Sequence, residues 1–263
     1  MNPKPPPRPQ PTRRARITAV TSGKGGVGKT LVSANLAAAL AAAGERVLVL
    51  DADLGLANLD VVLNLAPHVT LHDVIGGGAA LDDALVDAPG GFTALLAGSG
   101  LVEYSRLTAE VRERLLDVVE AMRPHYDRVL LDTGAGLSDV VLYTVALADE
   151  VLVVATPEPT SLTDAYATVK VLATTQQRRH IGLLVNQTTR RGDGRRVCAQ
   201  LQQVITRYVD PAVGAPVTLE LLGEVPDDAS VRDAVRQRML LLQAYPGSPA
   251  AQAIAAAAAR MRA

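Results

Sequence analysis

The residues with the most specific chemistry are eight consecutive ones, GKGGVGKT, from Gly23 to Thr30. They match the pattern G-x-x-x-x-G-K-[ST], and they stand between a short apolar run and a helical stretch, where this pattern binds phosphate. The glycines let backbone N–H groups point at phosphate oxygens, and the amino terminus of the helix adds partial positive charge. We expect Lys29 to contact the β- and γ-phosphates and the Thr30 hydroxyl to ligate Mg²⁺. The predicted phosphate-binding residues are Gly23, Lys24, Gly25, Gly26, Val27, Gly28, Lys29 and Thr30.

Three carboxylates stand where apolar strands are predicted to end, namely Asp51, Asp53 and Asp132. The carboxyl ends of parallel strands form the ligand-binding edge of a sheet, so these side chains should lie near the phosphates. Asp132, at the end of the run VLLD, is the natural candidate to hold Mg²⁺ through water. Any one of them could merely cap a turn. Together with the loop they predict a Mg²⁺-dependent nucleoside triphosphatase.

The rest of the sequence alternates between short apolar runs and helical stretches. The predicted strands are 17–21, 47–51, 92–96, 128–132, 150–155, 181–186 and 219–225. Helices are predicted after the glycine-rich loop to about 43 and at 108–122, 138–147, 161–175, 195–208, 229–237 and 249–261. Apolar strands alternating with helices indicate a parallel sheet that is covered on both faces. We therefore predict one α/β P-loop NTPase domain over residues 17–263, with a mostly parallel, twisted sheet of about seven or eight strands and helices on both faces.

Composition excludes several other classes of protein. The chain has 26 Lys and Arg against 27 Asp and Glu, a net charge of −1 that argues against binding nucleic acid through bulk charge. One cysteine and the absence of Trp argue against a disulfide, a Cys-ligated metal and a base-stacking surface. The four histidines, His68, His72, His125 and His180, show no metal-ligand spacing and are expected at the surface or as caps.

The sequence has no run of about 18 or more uncharged apolar residues, so no membrane-spanning helix is predicted. Residues 1–16 are rich in Pro and Arg, which favours a disordered tail or a tether for an anionic surface over a secretory signal. The C-terminal helix has Ile254 and Met261 as its large apolar side chains, so packing of its alanines on the domain is favoured over lipid binding. A cytoplasmic location is expected.

Lys24 within KGGVGKT makes the loop resemble the deviant Walker motif of the MinD/ParA ATPases. The resemblance extends over about residues 17–250 and is most specific to the FlhG/FleN branch, the regulators of flagellar number. The stretches that carry it are DADLGLANLDVVL (51–63), LLDTGAGLSDVVL (130–142), TPEPTSLTDAYATVKVL (156–172) and VPDDASVRDAV (225–235).

The resemblance implies a slow ATPase with ATP and Mg²⁺ as ligands, in which ATP drives a face-to-face homodimer. Lys24 would reach the partner's phosphates, Asp53 would orient the attacking water, and Asp51 would support Asp53 and the metal. The switch segments would be 53–60 and 132–139. The implied metal residues are Thr30, Asp53 and Asp132, the catalytic ones are Asp53, Lys24, Lys29 and Asp51, and those beside the adenine are Asn186, Pro226 and Asp227.

The partners implied are a flagellar transcription activator, a signal-recognition-type GTPase or a basal-body protein. Such partners could recruit the chain to the inner face of the membrane or a cell pole, with weak or no membrane binding of its own and no specific nucleic acid. Two alternatives remain open: a ParA- or MinD-type spatial organiser of DNA or another cargo, and a P-loop enzyme of the amide-ligase type.

Overall fold

The computed structural model describes residues 14–55, 58–98 and 107–262. Within these ranges the chain forms one eight-stranded sheet in the order β3-β4-β2-β5-β1-β6-β7-β8. Only β3 is antiparallel to its neighbour among the described strands. The strands are β1 (Arg16–Ser22), β2 (Val47–Ala52), β3 (Leu85–Asp87), β4 (Thr93–Leu95), β5 (Arg128–Ala135), β6 (Glu150–Ala155), β7 (His180–Thr188) and β8 (Thr218–Pro226). The predicted α/β fold is confirmed.

Several of the helices begin at a residue whose side chain caps them. The hydroxyl of Thr108 accepts from the Val111 N–H at the start of α4, and Ser138 does the same for Val141 at the start of α5. The helices are α1 (Lys29–Ala42), α2 (Leu59–Leu63), α3 (Leu71–Ile75), α4 (Ala109–Met122), α5 (Asp139–Ala146), α6 (Pro159–Thr175), α7 (Asp193–Tyr208), α8 (Asp210–Val213), α9 (Ala229–Arg236), α10 (Leu241–Ala244) and α11 (Pro249–Arg262).

Alternate residues of each strand enter two separate cores, one on each face of the sheet. In β2, Leu48 and Leu50 belong to the core that includes Leu115 of α4. Val47 and Val49 belong to the other core, which includes residues of α1 and α11. Side chains of successive strand residues point to opposite faces, so a strand buried on both faces must be apolar throughout.

The sequence analysis did not predict the shortest helices and strand. Helices α2, α3, α8 and α10 have five residues or fewer, and β3 has three. Elements of this length contain too few residues for a periodic pattern to emerge.

The expectation that the four histidines lie at the surface or cap helices has mixed outcomes. His68, His125 and His180 are exposed as expected, whereas His72 is buried with 1% of its surface accessible, so that prediction was wrong. Its helix α3 packs on the core between the sheet and α4. This tertiary contact could not be predicted from a helix of only five residues.

The C-terminal helix α11 packs small side chains against the domain. Ala257, Ile254 and Met261 are buried there, and a Cβ added at Gly223 of β8 would lie 3.2 Å from that of Ala257. None of the helices in the described residues is long and apolar enough to cross a membrane.

At the other end of the chain, the predicted tail falls outside the described residues as far as residue 13. Ala15 is buried, and Arg16 begins β1.

Candidate nucleotide site

The glycine-rich loop joins the end of β1 to the start of α1, as predicted. Gly26 and Gly28 have φ angles of 76° and 91°, in the left-handed region that glycine adopts without strain. A side chain at Gly28 would also collide with Asn186, since an added Cβ would lie 2.5 Å from its Nδ2. The loop therefore requires glycine at this position for two independent reasons.

A cavity of about 900 Å³ opens beside this loop at the carboxyl edge of the sheet. Its volume is in the range of small-molecule sites. The predicted site residues that line it are Gly25, Gly26, Gly28, Lys29, Thr30 and Asp53. Opposite them lie residues of the predicted second switch segment, including Thr133, Gly134 and Ser138.

Lys29 is held in the loop by a residue that the sequence analysis did not select. Its Nζ donates to Oγ of Ser22 at 2.9 Å, and only 9% of the lysine is exposed. Burial lowers the pKa of Lys29 from its ordinary value, and the nearby charges of Asp132 and Asp53 oppose that change. A buried cation with a hydroxyl partner beside the cavity is suited to a polyanionic ligand.

Asp132 lies beside Asp51, because the two residues are register partners on β5 and β2. The hydroxyls of Thr30 and Ser33 hydrogen-bond to the Asp132 carboxylate, the latter at 2.8 Å. Burial raises the pKa of Asp132 to about 6, although both hydroxyls and the charge of Lys29 oppose the rise. Ser33 was not predicted; its only sequence signal is a position one turn after Thr30 on the same helix.

Asp51 holds the loop that carries Asp53. Its carboxylate accepts from the backbone N–H groups of Asp53 and Leu59, both at 3.2 Å, and so joins the two ends of this loop. Burial raises the pKa of Asp51 well above its ordinary value, and the charge of Asp132 raises it further. Residues 56 and 57 of the predicted first switch lie outside the described residues.

The two predicted switch segments meet at Asp53. A Cβ added at Gly134 would lie 3.3 Å from the Asp53 carboxyl carbon. The absence of a side chain at Gly134 lets the backbone of the second segment approach the carboxylate of the first.

Lys24 points away from the cavity that Lys29 lines. Its Nζ donates to Oε2 of Glu158 at 2.6 Å and to Oγ1 of Thr160 at 2.9 Å, at the start of α6. The neighbouring Gly23 packs on the same helix, where an added Cβ would lie 2.3 Å from the Asp164 carbonyl oxygen. Glu158 and Thr160 are more than 130 residues from Lys24 in sequence, so no local pattern could have paired them with it.

The residues predicted beside the adenine do not line the cavity. The Asn186 amide donates to the Val27 carbonyl oxygen at 2.8 Å, and Val27 itself is buried. Pro226 ends β8 next to β7, and Asp227 pairs with Arg232 at 3.0 Å. Asn186 therefore supports the loop in this structure, and the contact of all three residues with a base stays a prediction.

The donor set fits Mg²⁺ bound together with phosphate. No group of three or more His, Cys, Asp or Glu side chains in the described ranges has a metal-binding arrangement. Mg²⁺ is usually bound by one or two carboxylates together with substrate phosphates and waters. The Thr30 hydroxyl hydrogen-bonded to Asp132, with Asp53 across the cavity, is a set of that kind.

Comparison with known proteins places this site in a family. The model of the CobQ/CobB/MinD/ParA nucleotide binding domain matches residues 18–241. The chain belongs to this family. The glycine-rich loop with Lys24 and Lys29 lies within the matched residues.

Relatives within this family include regulators of flagella. The chain is 42% identical over 246 residues to the antiactivator FleN of Pseudomonas aeruginosa, covering 94% of this chain and 86% of FleN. It is 32% identical to the flagellum site-determining protein YlxH of Helicobacter pylori, covering 91% and 79% of the two chains. The septum site-determining protein MinD of Pyrococcus horikoshii, solved in complex with Mg-ADP, superposes with a TM-score of 0.74 at 28% identity, covering 94% of this chain and 96% of MinD.

Proposed function

We propose that the chain is an ATP-dependent dimerising ATPase that acts as a switch in the control of flagellar number or placement. The single observation that carries the proposal is the placement of the two lysines of one loop. Lys29 is buried beside the cavity, whereas Lys24 does not line it and has a side chain that is 36% exposed. A chain that needed both ammonium groups for its own nucleotide would place both at its own cavity.

The residues around the cavity have separate roles in hydrolysis. Backbone N–H groups of the loop and Lys29 bind the phosphates, and Asp53 orients the attacking water and accepts its proton. Thr30 and Asp132 would hold Mg²⁺, which neutralises charge on the phosphate oxygens when it is bound. Lys24 of the partner would stabilise the charge that spreads over the transferred phosphoryl group.

The switch follows from where these contacts are made. ATP shifts an equilibrium between monomer and dimer only if it binds the dimer more tightly. Contacts of Lys24 with the partner's phosphates provide that difference, and cleavage of the terminal phosphate removes part of it. Hydrolysis therefore returns the protein to monomers.

The experiment measures ATP binding by calorimetry, hydrolysis by phosphate release, and mass by light scattering with and without ATP. We expect Lys29→Ala to lose ATP affinity by about 100-fold or more. Asp53→Ala should bind ATP, stall in hydrolysis and accumulate as dimer, and Lys24→Ala should bind ATP and remain monomeric. The matched control is Lys170→Ala, an exposed lysine on α6, which should behave as the wild type.

If Lys24→Ala dimerised at the same ATP concentration as the wild-type protein, Lys24 would have no role across the dimer interface. Wild-type protein that takes up no ATP in the presence of Mg²⁺ would overturn the proposal as a whole.

The names of the relatives support the flagellar role. One is called an antiactivator and the other a flagellum site-determining protein, so a flagellar transcription activator is the first partner to test. ATP-trapped Asp53→Ala protein should retain it in a pull-down, and a signal-recognition-type GTPase or a basal-body protein would also fit the proposal. Salt-dependent binding of duplex DNA would instead indicate a ParA-type organiser, and ATP turnover that requires a small carboxylic acid would indicate an amide ligase.

A further inference from the structure

The hydroxyl of Ser22 joins the two lysines of the phosphate loop. Ser22 is the last residue of β1 and is fully buried, with 0% of its surface accessible. Its Oγ accepts from Nζ of Lys29 at 2.9 Å and donates to the carbonyl oxygen of Lys24 at 2.7 Å. A hydroxyl has one proton to donate and lone pairs that accept, so Ser22 can make both bonds at the same time.

The position of this hydroxyl is fixed by the sheet. The Ser22 carbonyl oxygen accepts from the Gly136 N–H at 2.8 Å, and Ser22 and Ala135 are register partners on β1 and β5. Gly136 belongs to the predicted second switch segment. The same residue therefore contacts the phosphate loop through its side chain and the switch segment through its backbone.

Lys29 depends on Ser22 for its placement. In the part of the chain that the structure describes, Ser22 is the one residue whose side chain hydrogen-bonds to the Lys29 ammonium group. An ammonium group has three N–H donors, so two remain for phosphate oxygens while one stays on Ser22. The lysine is therefore placed before a nucleotide binds, which reduces the side-chain ordering that binding must impose.

The second bond of Ser22 holds the backbone from which Lys24 projects. The Lys24 side chain extends to the start of α6, where Nζ donates to Glu158 and Thr160, while its carbonyl oxygen accepts from Ser22. In a trans peptide the C=O group and the following N–H point in opposite directions. The bond from Ser22 therefore also sets the direction of the Gly25 N–H, at a residue that lines the cavity.

We propose that Ser22 is a positioning residue for both lysines, whose hydroxyl places Lys29 for the phosphates of its own chain and the Lys24 backbone for those of a second copy. This inference rests on the proposed ATP-dependent dimerisation. The bond from the ammonium group polarises the hydroxyl and so strengthens its bond to the Lys24 carbonyl oxygen. Loss of the hydroxyl should therefore weaken nucleotide binding and dimerisation together.

The test compares three substitutions at Ser22 with a non-hydrolysable ATP analogue. Ser22→Ala removes the hydroxyl, Ser22→Cys keeps a side chain of similar shape with a weak donor and acceptor, and Ser22→Thr keeps the hydroxyl. We expect Ser22→Ala and Ser22→Cys to bind the analogue about tenfold more weakly in calorimetry, because each loses a bond to a charged group. At saturating analogue their dimers should still be about fivefold weaker in sedimentation equilibrium, because the Lys24 backbone is no longer held. Ser22→Thr should stay within about threefold of the wild type in both measurements.

The matched control is Thr18→Val on the same strand, which removes a buried hydroxyl near the edge where the strands begin. Thr18 is 2% exposed, and its hydroxyl donates to Oε2 of Glu150 at 3.2 Å. This variant should bind the analogue and dimerise as the wild type does.

Three results would overturn the inference. Losses in Ser22→Thr as large as those in Ser22→Ala would show that Ser22 matters for packing only. A dimer of wild-type strength for Ser22→Ala at saturating analogue would remove the link to Lys24. Tighter binding of the analogue by Ser22→Ala would mean that the hydroxyl competes with phosphate for Lys29.

A second measurement needs no nucleotide. In isotope-labelled protein, the Lys29 ammonium signal in NMR spectra is identified by its absence from Lys29→Ala. It should exchange slowly with solvent in the wild type, Ser22→Thr and Thr18→Val, and faster in Ser22→Ala. Equal exchange in all of these proteins would overturn the inference. Wild-type protein that shows this exchange pattern but binds no ATP, or binds it and stays monomeric, would refute the proposed function while leaving the bond between Ser22 and Lys29 in place.

Discussion

The two edges of the same sheet use charge in opposite ways. At the edge where the parallel strands begin, charges of opposite sign are paired. Arg128, whose side chain is 5% exposed, contacts Glu45 at 3.1 Å and Glu150 at 3.6 Å and donates to the Met261 carbonyl oxygen. Such a buried guanidinium is tolerated because its partners compensate the cost of removing it from water.

At the edge where the strands end, like charges are brought together. Asp51 and Asp132 are register partners on adjacent strands, and burial raises the pKa of each. Lys29, the one buried lysine of this edge in the described residues, donates to the Ser22 hydroxyl. Neither Asp51 nor Asp132 lies within ion-pair distance of Lys29. The first edge contributes stability, whereas the second gives up stability so that its groups are available to a charged ligand.

The largest expected effect comes from a substitution at the edge where the parallel strands begin. Arg128→Met should destabilise the protein by about 3 kcal/mol, because it leaves the largely buried Glu45 with one cation fewer and the buried Met261 carbonyl oxygen without its donor. Urea denaturation at neutral pH measures the change. Arg46→Met at the same edge is the control: its pair with Asp127 is exposed and should contribute under about 1 kcal/mol. Equal losses from the two variants would contradict the claim that burial decides the value of these pairs.

A change of opposite sign is expected at the ligand-binding edge. Asp132→Asn should stabilise nucleotide-free protein by about 2 kcal/mol at pH 7.5, since it removes a buried charge whose pKa is raised to about 6 while keeping an acceptor for Ser33. The folded state binds the Asp132 proton more readily than the unfolded state, so wild-type stability falls as pH rises from about 4 to about 6. The gain from the substitution should therefore shrink as the pH of the urea titration is lowered through that window.

The matched control for this variant is Asp127→Asn at the opposite edge. A hydrogen bond from Arg46 holds the pKa of Asp127 below its usual range, so its charge stabilises the fold. Asp127→Asn should destabilise the protein, and the loss should disappear as pH falls through the lowered pKa. The same sign for both Asp→Asn variants would contradict the difference between the edges.

The contrast also explains which features could be predicted from sequence. The loop around Lys29 and the Asp residues at strand ends are local patterns, since the fold delivers every parallel strand end to one edge. The partners that set their electrostatic state are not local: Ser22 binds Lys29 across the loop, and Glu158 binds Lys24 across the chain. His72 was assigned to the surface because five residues of helix show no inward face, and its burial arises only from tertiary packing.

The smallest expected effect tests whether the contact of Lys24 within its own chain competes with dimerisation. Glu158 is 60% exposed in its side chain, so its pair with Lys24 should contribute under about 1 kcal/mol. Glu158→Gln removes the attraction that keeps Lys24 on α6, and it should tighten the ATP-dependent dimer by about twofold to fivefold in sedimentation equilibrium. The affinity of monomer for ATP should not change, because Lys24 does not line the cavity of its own chain. Since the pair is exposed, raising the salt concentration should shrink the difference between variant and wild type. A weaker dimer for Glu158→Gln would mean that Glu158 supports Lys24 across the interface, and the ligand-binding edge would then extend to the start of α6.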